Sequence, residues 1–213
     1  MFIGHYAAGF VLKKKSSEIP LWLLFVSVQF VDILAFLFIL VGIEKISYNP
    51  DSNPFLRTIL EYVPYSHSLV ANALLSLIVF VIFCKFKNKV WGSVLSIGVL
   101  SHWFIDAVVH ADDMPLFHDS YKIGFGLWHL PIAAFVMELS ALLIAGYYLL
   151  WNYKYKMRHI ILITLLCLGF SSMFFAPEAE TSPEMASVVS LSLYALFTLL
   201  AYWSEREFKR QYD

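Results

Sequence analysis

The sequence predicts an all-α integral membrane protein. It reads as a bundle of six transmembrane helices preceded by an N-terminal half-span or interfacial helix, in one domain over residues 1–213. Three observations carry this. Hydrophobic residues make up 60% of the chain and charged residues only 15%, where a soluble domain averages roughly 45–50% and about 25%. The apolar residues gather in six runs near the length of about 17–25 residues that crosses a bilayer. Finally, 12 of the 15 lysines and arginines fall in connections on one side of those runs. This composition excludes a disordered, collagenous or coiled-coil chain. A net charge of −1 offers no basic field for nucleic acid, so none is expected as a partner.

The elements follow in order. Residues 1–12 are apolar, but twelve helical residues rise only about 18 Å, too short to cross. The basic cluster Lys13, Lys14 and Lys15 follows this stretch, the reverse of a secretory signal peptide, so the segment is expected to stay and pack into the bundle. The spans are expected at 20–42, 68–84, 90–109, 129–151, 160–175 and 185–203. The second and fifth are short and must extend at their ends or stand nearly upright. None alternates with period two, so the spans are helices and not barrel strands. There is no internal repeat.

Orientation follows from the cations. Lys13, Lys14 and Lys15; Lys85, Lys87 and Lys89; Lys154, Lys156 and Arg158; and Arg206, Lys209 and Arg210 share one side, expected to be cytoplasmic together with the C-terminus. The other side holds Lys45, Arg57 and Lys122 among the acids Glu44, Asp51, Glu61, Asp112, Asp113, Asp119, Glu178, Glu180 and Glu184. Trp22, Trp91, Trp128, Trp151 and Trp203 sit near span ends, as an interfacial belt requires, while Trp103 is lipid-facing or core bulk. Cys84 and Cys167 form neither a disulfide framework nor a zinc-binding spacing.

A charge at mid-bilayer costs roughly 2.5–3.5 kcal/mol on insertion scales, so each one is a functional candidate. The second, fifth and sixth spans hold no ionisable Asp, Glu, Lys, Arg or His in their interiors. The first carries Gln29 and Asp32. The third carries His102, Asp106 and, at its outer end, His110. The fourth carries Glu138, with His129 at its outer end. Asp32 and His102 each lie twelve residues past the start of their spans, about 18 Å above the cytoplasmic face, and Asp106 is one turn higher. Glu138 reaches a comparable depth from the other side, His67 stands at the outer mouth of the second span, and His5 lies about 12 Å up. These groups can converge in the outer half of the bundle.

His102, Asp106 and His110 are spaced i, i+4, i+8 and share one helix face; Gln29 and Asp32 share another. A His and an Asp one turn apart can ligate the same ion. Imidazole and carboxylate suit zinc, with manganese or iron as alternatives. Among the rest, His159 reads as a solvated loop residue, Glu138 as a packing or outer-layer residue more than a ligand, and the acids of the outer loop 111–128 as solvated charge.

Several short motifs recur in order. Gly4-His5 is followed by Gln29-Phe30-Val31-Asp32, then Tyr65-Ser66-His67-Ser68, then Ser101-His102-Trp103-Phe104-Ile105-Asp106. Over roughly residues 1–145 this pattern resembles the YdjM-like family of membrane-bound metal-dependent hydrolases, and more distantly the His/Asp metal sites of zinc-dependent phospholipase C. The resemblance implies metal ligation by His5, Asp32, His67, His102 and Asp106, and a place in a bacterial inner membrane. Val31 stands where many members have proline, so the bend before Asp32 is expected to be softer.

The functional expectation is a membrane-embedded metal-dependent hydrolase. It would use a metal-activated water on a lipid or lipid-linked ester or phosphoester in the outer half of the bilayer. His110, Asp112 and Glu138 are the candidates for acid–base work, with the loop 111–128 as a lid that also offers Asp113 and His118. Lys45, Arg57 and Lys122 are the outer cations available to hold a phosphate. The alternative is a proton- or ion-coupled transporter using the same Asp/His cluster, against which stand the missing inverted repeat and the lack of a Gly/Pro-broken helix pair. A third reading is a structural protein stapled by a metal.

Overall fold

The computed structural model describes residues 3–151, 157–176 and 181–206. The chain is mostly helical. In order, α1 covers Gly4–Lys15, α2 Leu21–Val28, α3 Phe30–Leu40, α4 Leu69–Phe86, α5 Lys89–Val109, α6 Pro131–Leu150, α7 Met157–Phe174 and α8 Pro183–Glu205. Among the described residues five helices, α4 to α8, are long and apolar enough to cross a membrane, six spans if the bent pair α2–α3 counts as one. These match the runs expected from the sequence, and the two short ones do extend, to Phe86 and back to Met157.

The first span differs from the expectation. It is broken at Gln29, where α2 and α3 meet at 56°, although neither glycine nor proline stands at the break. The bend is therefore not soft, and among the described residues it is the one broken span, without glycine or proline at the break. At its C-terminal end α3 gives way to Gly42, whose φ of +75° suits a residue without a Cβ. There the Ile43 amide returns to the Phe38 carbonyl at 2.8 Å, closing the helix end.

Helix α1 packs at the centre of the bundle. His5 and Phe10 are wholly buried, and Ile3, Tyr6 and Phe10 share a core with Phe25, Leu142, Leu149, Phe170 and Phe197. Its inner end is tied down: Lys13 Nζ meets Glu205 Oε1 at 2.6 Å and donates to the carbonyls of Ser17 and Ile19. Lys14 donates to the Trp151 carbonyl at 2.6 Å, and Arg158 stacks on Trp203. These contacts gather basic connections at one end of the bundle. Lys154, Lys156, Lys209, Arg210, Glu178 and Glu180 lie outside the described residues.

At the opposite end the connections are not plain loops. Strands β1 (Lys45–Tyr48) and β2 (Thr58–Tyr62) form one antiparallel hairpin, and β3 (Met114–Phe117) and β4 (Ser120–Ile123) another. The little sheet present lies outside the spans. Ile46, Leu60 and Met114 pack with Ile39, Val63, Trp103 and Ala107 into a second core that seats both hairpins on the bundle. Trp103 is core, and its indole donates to the Pro115 carbonyl at 3.3 Å. Both cysteines are free thiols.

Candidate metal centre

Asp32, His67, His102 and Asp106 come from four separate places on the chain: the first turn of α3, the residue before the N-cap of α4, and two successive turns of α5. Each offers one donor atom, and the four atoms lie within 4.8 Å of one another. Nε2 of His102 is 3.0 Å from Asp106 Oδ2 and 3.4 Å from Asp32 Oδ1. Nε2 of His67 is 3.3 Å from Asp32 Oδ1 and 3.9 Å from Asp106 Oδ2. His102 and Asp106 are buried, and Asp32, His102 and Asp106 meet as their depths suggest, while Glu138, expected at the same depth, does not join them.

The hydrogen-bond partners fix which ring nitrogen is free. His102 Nδ1 faces the Val28 carbonyl at 2.8 Å. A carbonyl only accepts, so Nδ1 carries a hydrogen, and Nε2 is the ring nitrogen left to face the carboxylates. His67 Nδ1 faces Ser66 Oγ at 2.8 Å, while that hydroxyl donates to Glu44 Oε2 at 2.6 Å. The serine has one hydrogen to give, so it accepts from His67 Nδ1, and Nε2 of His67 is again the nitrogen that faces the carboxylates. Two imidazole Nε2 atoms and two carboxylate oxygens thus face one another in a buried site. Nε2 of His102 has no hydrogen-bond partner even 3.0 Å from Asp106 Oδ2, so the oxygen is off the axis of the ring nitrogen. Two carboxylates and two imidazole nitrogens around one point call for positive charge between them, from a metal ion or from protons on the rings. The donor set, two imidazoles and two carboxylates, fits a divalent metal ion.

His5 joins from α1. Its Nε2 is 3.1 Å from Oδ1 of Asp106, the oxygen turned away from His67 and His102, and its ring stacks on His102 at 3.8 Å between centroids. Four of the five expected ligands therefore form the donor group, and His5 backs it through the far side of the shared carboxylate. Asp32 is held on its own far side by the Tyr194 hydroxyl, which donates to Oδ2 at 2.9 Å. It also sits in the first turn of α3, where the helix dipole favours a negative charge.

A cavity of about 170 Å³ opens over this group. Asp32, His67, Asp106, His110 and Tyr194 line it together with mainly apolar residues, including Phe36, Phe55, Leu60 and Met173. His110 Nδ1 pairs with Asp113 Oδ1 at 3.1 Å, and its ring lies against Trp128. Burial pushes the Asp113 carboxyl up, but the hydrogen bond and charge of His110 outweigh it and hold the group below its ordinary range.

The other expected acid–base residues fall elsewhere. Asp112 is exposed in the turn before β3; the neighbouring Asp113 is the one that reaches His110. Glu138 is wholly buried and accepts from the Ile3 amide at 3.1 Å and the Trp128 indole at 3.3 Å, which anchors α1 beside α6. His159 is not solvated: it is buried in the first turn of α7, because the α7 start packs into the bundle. Lys122 is engaged with Asp119 at 2.9 Å and the Glu61 carbonyl, joining the two hairpins. His118 pairs with the Tyr62 hydroxyl at 3.4 Å, and His129 is exposed.

Three contributors escaped sequence reasoning. Tyr194 lies in a span without Asp, Glu, Lys, Arg or His in its interior, and one tyrosine among apolar residues gives no signal. Glu44 sits among other outer acids with nothing to mark it as buried. The Val28 carbonyl is backbone, free only because the helix breaks. No family model matches the chain, and neither a curated protein nor a solved structure does so.

Proposed function

We propose that this chain is a membrane-embedded metal-dependent hydrolase acting on an ester or phosphoester of a lipid or lipid-linked molecule. One observation carries the reading: Nε2 of His67 and of His102 and the carboxylates of Asp32 and Asp106 bring four donor atoms within 4.8 Å of one another beside a mainly apolar cavity. The order of the short motifs, which resembles that of the YdjM-like hydrolases, supports it as well. Asp32, His67, His102 and Asp106 would hold the ion, with zinc the best match to the donors and manganese or iron as alternatives. A bound divalent ion supplies a Lewis acid and lowers the pKa of water towards about 7.

The chain's own residues do the rest. Tyr194 keeps Asp32 turned so that Oδ1 faces the histidines. Asp113 holds the His110 Nδ1 hydrogen, which leaves Nε2 of a cavity-lining imidazole to take a proton from the attacking water and return it to the leaving group. The apolar walls exclude bulk water and suit an acyl or prenyl chain. The transporter reading draws on the 56° break beside Asp32, since broken helices recur at transporter ion sites.

Metal content separates the two. Wild-type protein purified without chelator and supplied with zinc, manganese and iron should hold close to one equivalent. His102→Ala and Asp106→Asn should lose it, and His129→Ala, at an exposed position, should keep it. A metal-dependent activity on lipid esters or phosphodiesters should vanish in the same two variants. Wild-type protein with only trace metal refutes the hydrolase and leaves the carrier.

A further inference from the structure

We propose that Glu44, acting through Ser66, is the positioning residue that fixes His67 as a metal-binding imidazole. The inference rests on the metal-centre reading above and adds a group that lies outside the donor set.

Glu44 follows the end of α3 on a connection whose other acids, Asp51 and Glu61, are exposed, yet it is almost wholly buried. No cation pairs with it among the described residues. Three hydrogen bonds meet its carboxylate instead, all from one dipeptide: Oε1 accepts from the Tyr65 amide at 2.9 Å and the Ser66 amide at 2.8 Å, and Oε2 accepts from the Ser66 hydroxyl at 2.6 Å. The two backbone bonds are enough to hold the chain. The third goes to a side chain that has one hydrogen, and spending it on Glu44 leaves Ser66 Oγ only able to accept from His67 Nδ1 at 2.8 Å. A short relay results: carboxylate, hydroxyl, imidazole Nδ1–H, and a lone pair on Nε2 aimed at the Asp32 and Asp106 oxygens. Carboxylate partners of this kind orient a ligating histidine and raise its basicity. Here the partner sits one residue farther out than usual, with a serine hydroxyl between them.

The direction of the relay makes the role testable. Glu44→Gln keeps the size and keeps a carbonyl for the two backbone amides. Its NH2 group, however, donates to Ser66 Oγ. The Ser66 hydrogen is then turned towards His67 Nδ1, the tautomer flips, and Nε2 presents a hydrogen where a lone pair was. Ser66→Ala cuts the relay without touching the backbone bonds. Outer partners of ligating histidines are worth typically 10–100-fold in metal affinity, and each variant should lose about that.

The experiment is zinc affinity of the full-length protein in detergent, by competition with a chromogenic chelator, for wild type, Glu44→Gln, Ser66→Ala and the double variant. Both singles should bind 10–100-fold more weakly, and the double variant no more weakly than the worse single, because both changes break the same chain. Unfolding midpoints in EDTA give the readout for a merely structural role. Singles that bind zinc within threefold of wild type, or a double loss equal to the product of the two, overturn the proposal while leaving the metal centre intact. Should Glu44→Gln not accumulate, Ser66→Ala decides alone. A wild type that holds no zinc overturns the metal centre itself, and this inference with it.

Discussion

Asp32→Asn should make the metal-free protein more stable while abolishing its response to metal. Asparagine keeps an acceptor where Oδ2 receives the Tyr194 hydroxyl at 2.9 Å. Its amide group then replaces Oδ1, 3.3 Å from His67 Nε2 and 3.4 Å from His102 Nε2. With both imidazoles neutral, each Nε2 bears a lone pair, because Ser66 and the Val28 carbonyl hold the Nδ1 hydrogens. Two contacts between acceptors thus become hydrogen bonds, each with a net worth of about 0.5–1.5 kcal/mol, for a gain of roughly 1–3 kcal/mol. In a chain of this size 1 kcal/mol moves the midpoint by roughly 2–4 °C, so the metal-free variant should melt roughly 2–12 °C higher. Wild type instead gains from the ligand: about 4.1 kcal/mol when zinc stands a thousandfold above its Kd, or roughly 8–16 °C. Tryptophan fluorescence during heating in EDTA and in zinc reads both effects. The variant should lead in EDTA, and the wild type should overtake it or close on it in zinc. A variant that melts below wild type in EDTA, or climbs with zinc as wild type does, refutes the lone-pair argument.

Three further outcomes are expected. A reporter fused after Asp213 should be active on the cytoplasmic side and one inserted between His118 and Asp119 on the other, since 12 of the 15 cations gather away from the hairpins; activity of both on one side refutes the orientation. Gly98→Val should cost about 1–3 kcal/mol and weaken zinc binding together, because a Cβ there overlaps Ser27 Oγ and pushes α2, with its Val28 carbonyl, off α5; equal zinc affinity at lowered stability refutes the link. Asp113 is held below its unfolded value, so its contribution is present above about pH 4 and lost as pH falls through the folded value. Asp113→Asn should therefore be less stable than wild type at pH 7 with the gap closing in acid, and a gap unchanged at pH 3 refutes the pairing with His110.

The spans were legible because lipid imposes one coarse rule: about twenty apolar residues, with charges only where they do something. The same rule exposed Asp32, His102 and Asp106, since each is an ionisable residue inside an apolar run. Face arithmetic joined His102 to Asp106, and depth joined both to Asp32. What escaped lies where that rule is silent. The hairpins stand outside the spans, where four-residue strands such as Lys45–Tyr48 and Met114–Phe117 are too short for alternation to declare itself. Asp112 and Asp113 are neighbours, and only the turn into β3 decides which reaches His110. His159 belongs to a basic connection by sequence but to a helix start by packing, and burial cannot be read from a lone histidine.

The break at Gln29 is what ties these pieces together. A spanning helix that stops leaves carbonyls of its last turn without partners, and in hydrocarbon each costs several kcal/mol. Here the Gln29 amide still bonds the Phe25 carbonyl, and the Gln29 carbonyl accepts from Ile33 at 2.9 Å, so the ladder is repaired on both sides of the turn. The Val28 carbonyl in between is taken by His102 Nδ1 at 2.8 Å. That single bond satisfies the break and fixes the tautomer. The same break opens a fresh helix N-terminus whose first turn carries Asp32, so the dipole that favours this carboxylate exists only because the span is interrupted. A proline would have kinked the helix by removing an amide, without providing for the carbonyl. At this position the chain uses Val31 and lets a ligand from a neighbouring span make the repair. Bend, ligand orientation and buried charge are then mutually dependent, and a bent first span is expected only while His102 is there to accept the cost of it.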